Sequence, residues 1–307
     1  MLWGQAAWET EPMGNVIGAW FERDVVRATG PDAAKFLQGQ ISQDVETLVE
    51  RGSAWTLLLD PSGKLTTWMR ITRVDGDEFL LDCAAGWSET MLTRLNRFKI
   101  RVACDFVPLD GWRMLSVRGA TPDPGAVAAD TVLAPAAGLT IGVVGYDLLG
   151  PNVSEPDGIT LDEDAVEQYR IAHGIPEMGA ELDDTVIAAE IGGWFVEEAV
   201  SWTKGCYTGQ ELVARVDSRG SNTPRRLRSV ELTAPAVHGD DVVVDGTVVG
   251  AITSVFGTAA LARVGRIVVP PAAVEVDGHP ATVIEIPGTT PPPAVVADEA
   301  PRRRSLI

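Results

Sequence analysis

The strongest constraint on the fold is a change of pattern at Arg225. Beyond it the chain breaks into short alternating apolar runs, Leu227 to Leu232, Val242 to Val244, Thr247 to Thr253, Ala259 to Val264 and Ala281 to Ile286, with Asp-Gly pairs at 245 and 277 between them. Alternation at a period of two presents one face of each run to a core, and Asp-Gly supplies tight turns, so residues 226–287 are predicted as a small all-β domain.

Before Arg225 strands alternate with helices. Residues 24–28 read as a strand, and Pro31-Asp32 opens a short helix through Phe36 and Leu37. Ala54 to Leu59, Leu65 to Val74 and Glu78 to Cys83 read as strands, joined by the turns Pro61-Ser62-Gly63-Lys64 and Asp75-Gly76-Asp77. Trp87, Met91, Leu92, Leu95 and Phe98 fall at helical spacing, and a strand is expected from Ile100 to Phe106. We read residues 15–110 as the β-α-β-β-α-β order of a ferredoxin-like unit. A looser version fills 111–225, with a strand at 112–117, strands near 139–149 and a helix from about 160 to 173. Few periodic signals occur between 174 and 204, and irregular segments of that kind are often functional. Residues 288–307, with Pro291-Pro292-Pro293 and Arg302-Arg303-Arg304, are expected to be a disordered tail.

With 307 residues, 45% of them hydrophobic, the chain can bury a substantial core. No window approaches the ~18 apolar residues that span a bilayer, and Met1-Leu2-Trp3-Gly4 lacks the basic-then-apolar pattern of a signal peptide. A cytoplasmic protein without a membrane partner is therefore expected. Cys83, Cys104 and Cys206 are too sparse for a disulfide framework and match no metal-binding spacing, so no metal site is assigned. A net charge of −18 opposes direct nucleic-acid binding, which needs clustered Lys and Arg. Arg215, Arg219, Arg225, Arg226 and Arg228 do cluster, as a solvated patch or an anion site. His173 reads as a helix-end residue, and the nine tryptophans as core anchors, with Trp194 and Trp202 placed to wall a ligand pocket.

Chemistry concentrates in Lys204-Gly205-Cys206-Tyr207-Thr208-Gly209-Gln210-Glu211. Thr208 and Glu211 have the spacing of a capping box at a helix start, which would set Cys206 two residues outside the positive end of the helix dipole, with Lys204 beside it. Such surroundings favour a thiolate, against the alternative of a small buried hydrophobe. Gly205 and Gly209 permit tight turns on either side.

This string resembles the signature of the YgfZ-type folate-binding proteins, relatives of the glycine-cleavage aminomethyltransferase (T-protein) that include iron–sulfur assembly factors. The likeness extends to Tyr169-Arg170, Gly174-Ile175-Pro176, Gly179 to Asp183, Ala199-Val200-Ser201, Val213-Ala214-Arg215 and Arg219-Gly220, and to an opening element, Arg27 to Asp32, Phe36 to Gln40 and Asp44. The resemblance implies an α+β fold of two ferredoxin-like units and a C-terminal β-barrel, arranged as a cloverleaf around a central channel. It implies tetrahydrofolate or a derivative as ligand, with Lys204, Gly205, Tyr207, Gly209, Gln210, Glu211, Arg215 and Arg170 as binding residues and Cys206 as the reactive thiol. Expected partners are folate and iron–sulfur assembly or client proteins. The function implied is support of cluster assembly or repair and, through it, of cluster-dependent enzymes such as those that thiomethylate tRNA. Aminomethyl transfer is the alternative. Against it, the T-protein's acidic pair falls on Thr66-Thr67, and two further folate-contacting charges fall on Val143 and Val166. A hydroxyl cannot replace a carboxylate as general base near neutral pH.

Overall fold

Residues 16–123, 125 and 127–289 are described by a computed structural model. β1 (Val16–Thr29) is the organising strand, long enough to serve two sets of partners. Its C-terminal half pairs with β4 (Glu78–Ala84) and β5 (Asp105–Leu109), its N-terminal half with β6 (Arg113–Arg118) and, in parallel, β9 (Ile159–Leu161). β2 (Ser53–Leu59) and β3 (Leu65–Asp75) extend the sheet beyond β4, while β8 (Gly145–Gly150) and β7 (Val132–Pro135) extend it beyond β6. The nine strands form one sheet, ordered β2-β3-β4-β1-β6-β8-β7 with β5 and β9 on β1, so the two α/β units share a strand.

Alternation along β2, β3 and β4 sends successive side chains to opposite faces. Leu58, Met69, Ile71, Phe79 and Leu81 pack under α1 (Ala33–Gln40) and α2 (Ser88–Phe98), in a core that also holds Cys83 and Cys104. Trp55, Arg70, Thr72, Leu80 and Asp82 share the inner face. There Trp55, Leu57, Leu59 and Trp68 pack against residues of α3 (Glu163–Ala172), α4 (Gly193–Ala199) and the segment between them. α3 begins where Asp162 accepts the Ala165 N–H at 2.9 Å, and its N-terminal acids Glu163 and Asp164 suit the helix dipole. His173 is its C-cap.

Beyond α5 (Gln210–Ser218) lies a closed barrel of β10 (Arg225–Leu232), β11 (Asp241–Val244), β12 (Thr247–Phe256), β13 (Ala259–Gly265), β14 (Ala272–Val276) and β15 (His279–Ile284), in the order β10-β13-β12-β11-β14-β15. Leu227, Ala259, Leu261 and Ile286 dock it on the inner-face core.

Several local expectations are corrected. The strand predicted from Ile100 begins only at Asp105, because Ala103 is drawn off to donate to the Asp32 carboxylate at 2.8 Å. The 174–204 segment contains a 3-10 turn at Ala188–Glu190 and α4, whose apolar residues Trp194, Phe195 and Ala199 are too few for a clear period. β14, masked in the sequence by the preceding Pro270-Pro271, completes the barrel. The tail expected at 288–307 lies, from residue 290 onward, outside the described residues.

Candidate functional site

A cavity of about 280 Å³ opens on the inner face of the sheet, between β1, β3, α3 and the segment Ile175 to Met178. One wall is aromatic. Trp55 and Trp68 stack with ring centroids 4.2 Å apart and planes 21° from parallel, and Phe195 tilts against Trp68 at 5.3 Å. The indole N–H groups of Trp55 and Trp68 are buried with no hydrogen-bond partner among the described residues. An unpartnered buried donor carries a desolvation penalty of roughly 1–3 kcal/mol, which an acceptor on a bound molecule would remove.

The cavity floor is ionic. Arg70, fully buried, bridges Asp82 (2.8 Å) and Asp147 (2.6 Å); Arg23 pairs with Asp82 at 2.7 Å and Arg118 with Asp147 at 3.0 Å. Ser116 adds a hydroxyl donor to Asp147 at 2.8 Å. Burial works to raise both carboxyls, but the arginines outweigh it and hold Asp82 and Asp147 below the usual carboxylate range. Three guanidiniums against two carboxylates leave the floor itself net positive, with Arg23 and Arg118 partly exposed to the cavity, while Glu22, Glu167 and Glu177 bring negative charge to its walls.

Arg170, expected to bind a cofactor, does line the cavity, yet its guanidinium is engaged within the chain. It contacts Glu167 at 2.7 Å, Glu181 at 3.3 Å and the Ser254 hydroxyl at 2.9 Å, tying α3 to the signature's approach segment and to the barrel. Glu177 stands at the same wall; burial raises its carboxyl above the ordinary range, and Arg170, 3.9 Å away, offsets this only partly.

The signature residues form a different constellation, none of them lining this cavity. Lys204 directs all three ammonium protons at backbone carbonyls, Gln38 (2.6 Å), Ile41 (2.7 Å) and Gln43 (2.8 Å), at the C-terminus of α1. A cation there satisfies orphan carbonyls and suits the helix dipole. The Thr208 N–H donates to Gly39 O at 3.1 Å, the Ser201 N–H to Ser42 O at 3.0 Å, and the Ser42 hydroxyl to Ala199 O at 2.6 Å. The opening element Gln38 to Gln43 is thus the seat of the signature loop, which sequence separation conceals. Tyr207 is 9% exposed and belongs to the core, and its buried phenol is raised above its usual range.

The capping box does not form. Gly209, at φ 86°, is the N-cap, and α5 starts at Gln210, whose side-chain oxygen accepts the Tyr207 N–H at 3.1 Å. Glu211 turns forward to Arg215 instead of back to Thr208. A Cβ on Gly209 would lie 2.7 Å from Asp60 O and from the Leu59 Cβ, so the close approach of the β2–β3 turn requires glycine. Cys206 therefore lies four positions before the helix, exposed, next to Gly205, which has nothing within 4 Å of its Cβ position. Lys204 is occupied below it. The arginine cluster does not converge on a pocket: Arg215 pairs with Glu211, Arg228 with Glu285 at 3.0 Å, and Arg226 donates to Ser221 O. Trp194, expected near a ligand, is core; Trp55 and Trp68, read as core, face the cavity. Only the period-two inner-face register of β2 and β3 could have marked them.

A Haemophilus influenzae protein of uncharacterised role is 30% identical over 199 residues, 64% of this chain and 67% of its own length. The mitochondrial iron–sulfur cluster assembly factor IBA57 homolog of Pyricularia oryzae is 30% identical over 223 residues, and the Klebsiella pneumoniae tRNA-modifying protein YgfZ is 28% identical over 235 residues. This chain belongs to the YgfZ-type family. It spans 67% of the length of the Haemophilus influenzae relative, 71% of the Klebsiella pneumoniae one and 55% of the fungal one. No family model matches. The fold is that of the aminomethyltransferase relatives: the glycine cleavage system aminomethyltransferase T of Bartonella henselae superposes with a TM-score of 0.70 at 16% identity, covering 90% of this chain and 87% of the other.

Proposed function

We propose that this YgfZ-type protein binds a reduced folate in the central cavity and supports iron–sulfur cluster assembly or repair, and thereby cluster-dependent tRNA modification. The observation that carries the ligand reading is the stacked Trp55–Trp68 pair with its unpartnered indole N–H groups above a net positive floor. A flat, acceptor-rich pterin fits such a wall, and a pendant carboxylate fits Arg23 and Arg118. The cavity volume of about 280 Å³ suits the bicyclic head, with the remainder extending outward. Folate, when bound, would supply one-carbon or redox chemistry; Trp55, Trp68, Arg23 and Arg118 would hold and orient it.

Aminomethyl transfer is disfavoured because Thr66 and Thr67 lie outside the cavity lining and Asp147 is neutralised by two arginines. The cluster role rests on the roles of the IBA57 and YgfZ relatives and on Cys206. Among the described residues no group of three or more His, Cys, Asp or Glu is arranged to hold a metal, so a cluster at Cys206 would take its other ligands from a partner protein. Calorimetry with tetrahydrofolate tests the ligand: Trp68→Ala is expected to weaken binding by ten-fold or more, and lack of binding by the wild type overturns the reading. A glycine-cleavage assay tests the alternative, with robust turnover reinstating it. Complementation of iron–sulfur enzyme activity in a deletion strain, abolished by Cys206→Ser and retained by Cys83→Ser, tests the cluster role.

A further inference from the structure

A second cavity, of about 420 Å³, lies on the same inner face of the sheet, further along the strands. Strand register fixes the relation between the two. On this face Arg23, Val25 and Arg27 succeed one another along β1, Asp82, Leu80 and Glu78 along β4, and Arg70, Thr72 and Val74 along β3. Arg23 lines the central cavity, and Arg70 and Asp82 form its ionic floor; Arg27, Leu80, Glu78 and Val74 line the second. Between them Val25, Leu80, Met114 and Leu149 close into a small apolar cluster. The two cavities are separate chambers of one half-barrel, divided by that cluster and by the buried ion network.

The second chamber is apolar in body, with Leu80, Leu109, Trp112 and Val132 in its walls, and Arg27 and Arg51 bring two guanidiniums to it. Arg51 holds a left-handed backbone at φ 60° and donates to Ala129 O (3.1 Å) and Thr131 O (3.2 Å), fastening the opposite wall. Arg73 turns to the opposite face, its guanidinium 5.4 Å from the Phe79 ring and donating to Leu48 O at 2.9 Å and Gly76 O at 3.0 Å. Carbonyls fix Arg51 in place without cancelling its charge. Arg27 makes no hydrogen bond or ion pair among the described residues, and the two acids of the lining, Glu78 and Asp130, pair with neither Arg27 nor Arg51. Arg27 is exposed, so its unpaired guanidinium is open to an anion beside an apolar wall.

We propose that this chamber is a second ligand site, for a small organic anion with a carboxylate or phosphate head on an apolar or aromatic body. The head meets Arg27, whose planar fork matches either oxyanion, and the body lies along Trp112 and Leu80. The assignment stands independently of what fills the central cavity.

Titration of the full chain with 1-anilinonaphthalene-8-sulfonate, an aromatic anion that fluoresces on leaving water, tests it. Arg27→Gln, an exposed change that leaves the fold intact by circular dichroism, is expected to weaken probe binding about ten-fold, with Arg27→Lys recovering part of the loss. Val132→Trp, which fills the chamber from its inner-face wall, is expected to abolish it. Excess tetrahydrofolate should leave the probe in place, and competition by phenyl phosphate against phenylacetate identifies the preferred head. No probe binding, binding unmoved by Arg27→Gln, displacement by tetrahydrofolate, or displacement by neither phenyl compound overturns the proposal.

Discussion

Cys83, Cys104 and Cys206 have the same side chain and three different fates, set by what surrounds each sulfur. Cys83 has no exposed surface beneath α1 and α2, and burial pushes its thiol up to about 12; burial raises Cys104 as well. Only the thiolate is nucleophilic, so both are protected twice, by access and by protonation. Cys206 is exposed. Iodoacetamide at neutral pH is therefore expected to modify Cys206 alone in the folded protein, read by mass spectrometry; equal labelling of all three would contradict the burial argument. Because the Cys206 sulfur leaves no cavity, Cys206→Ser should change folding stability by no more than about 0.5 kcal/mol, measured by urea denaturation.

At the scale of the element, the signature loop is held by its backbone neighbours and by one side chain. Lys204 supplies three donors to three carbonyls at the end of α1, so Lys204→Met leaves all three short of a partner in a half-buried site. Charge-assisted hydrogen bonds contribute roughly 1.5–3 kcal/mol each and are not additive, so a loss of about 2–4 kcal/mol is expected in urea denaturation. Lys204→Arg should not restore it, since a planar fork cannot converge on the same three oxygens. Gly209→Ala tests the other fastening. Its left-handed backbone and the 2.7 Å approach to Asp60 O predict a destabilisation of about 2–4 kcal/mol, with displacement of the β2–β3 turn.

The whole molecule is pinned at the ion network where its two α/β units meet. Arg70 and Asp82 come from the first unit and Asp147 and Arg118 from the second, and all lie on the inner face. Removing one member strands a buried charge, so Asp82→Asn is expected to cost about 3–5 kcal/mol. The pH dependence follows in sign: burial alone would raise the Asp82 and Asp147 carboxyls, but the arginines bring them below the unfolded value of 3.8, so their contribution is complete above that value and is lost as pH falls through the lower folded values. Acid titration followed by tryptophan fluorescence should show wild type losing stability in that window. Asp82→Asn should show a shallower loss.

The barrel, the paired helices and most strands were legible in the sequence because their signals are local: period-two runs, Asp-Gly turns, and the helical spacing of Met91 and Leu95. The signature was legible as a motif, but its geometry was not. Whether Glu211 turns back to Thr208 or forward to Arg215 depends on Gly209 being pressed against the β2–β3 turn, and the occupation of Lys204 depends on a helix end more than a hundred and fifty residues earlier in the chain. The sharing of β1 between two units was equally hidden, since each half of the strand reads alone as an ordinary strand. Sequence by itself determined most of the elements, the family and the thiol's place in a glycine-flanked loop. Only the tertiary structure decided that Trp55 and Trp68 face a cavity while the signature does not, because which side chains meet across a sheet is set by strand register and packing between distant segments, not by neighbours in the chain.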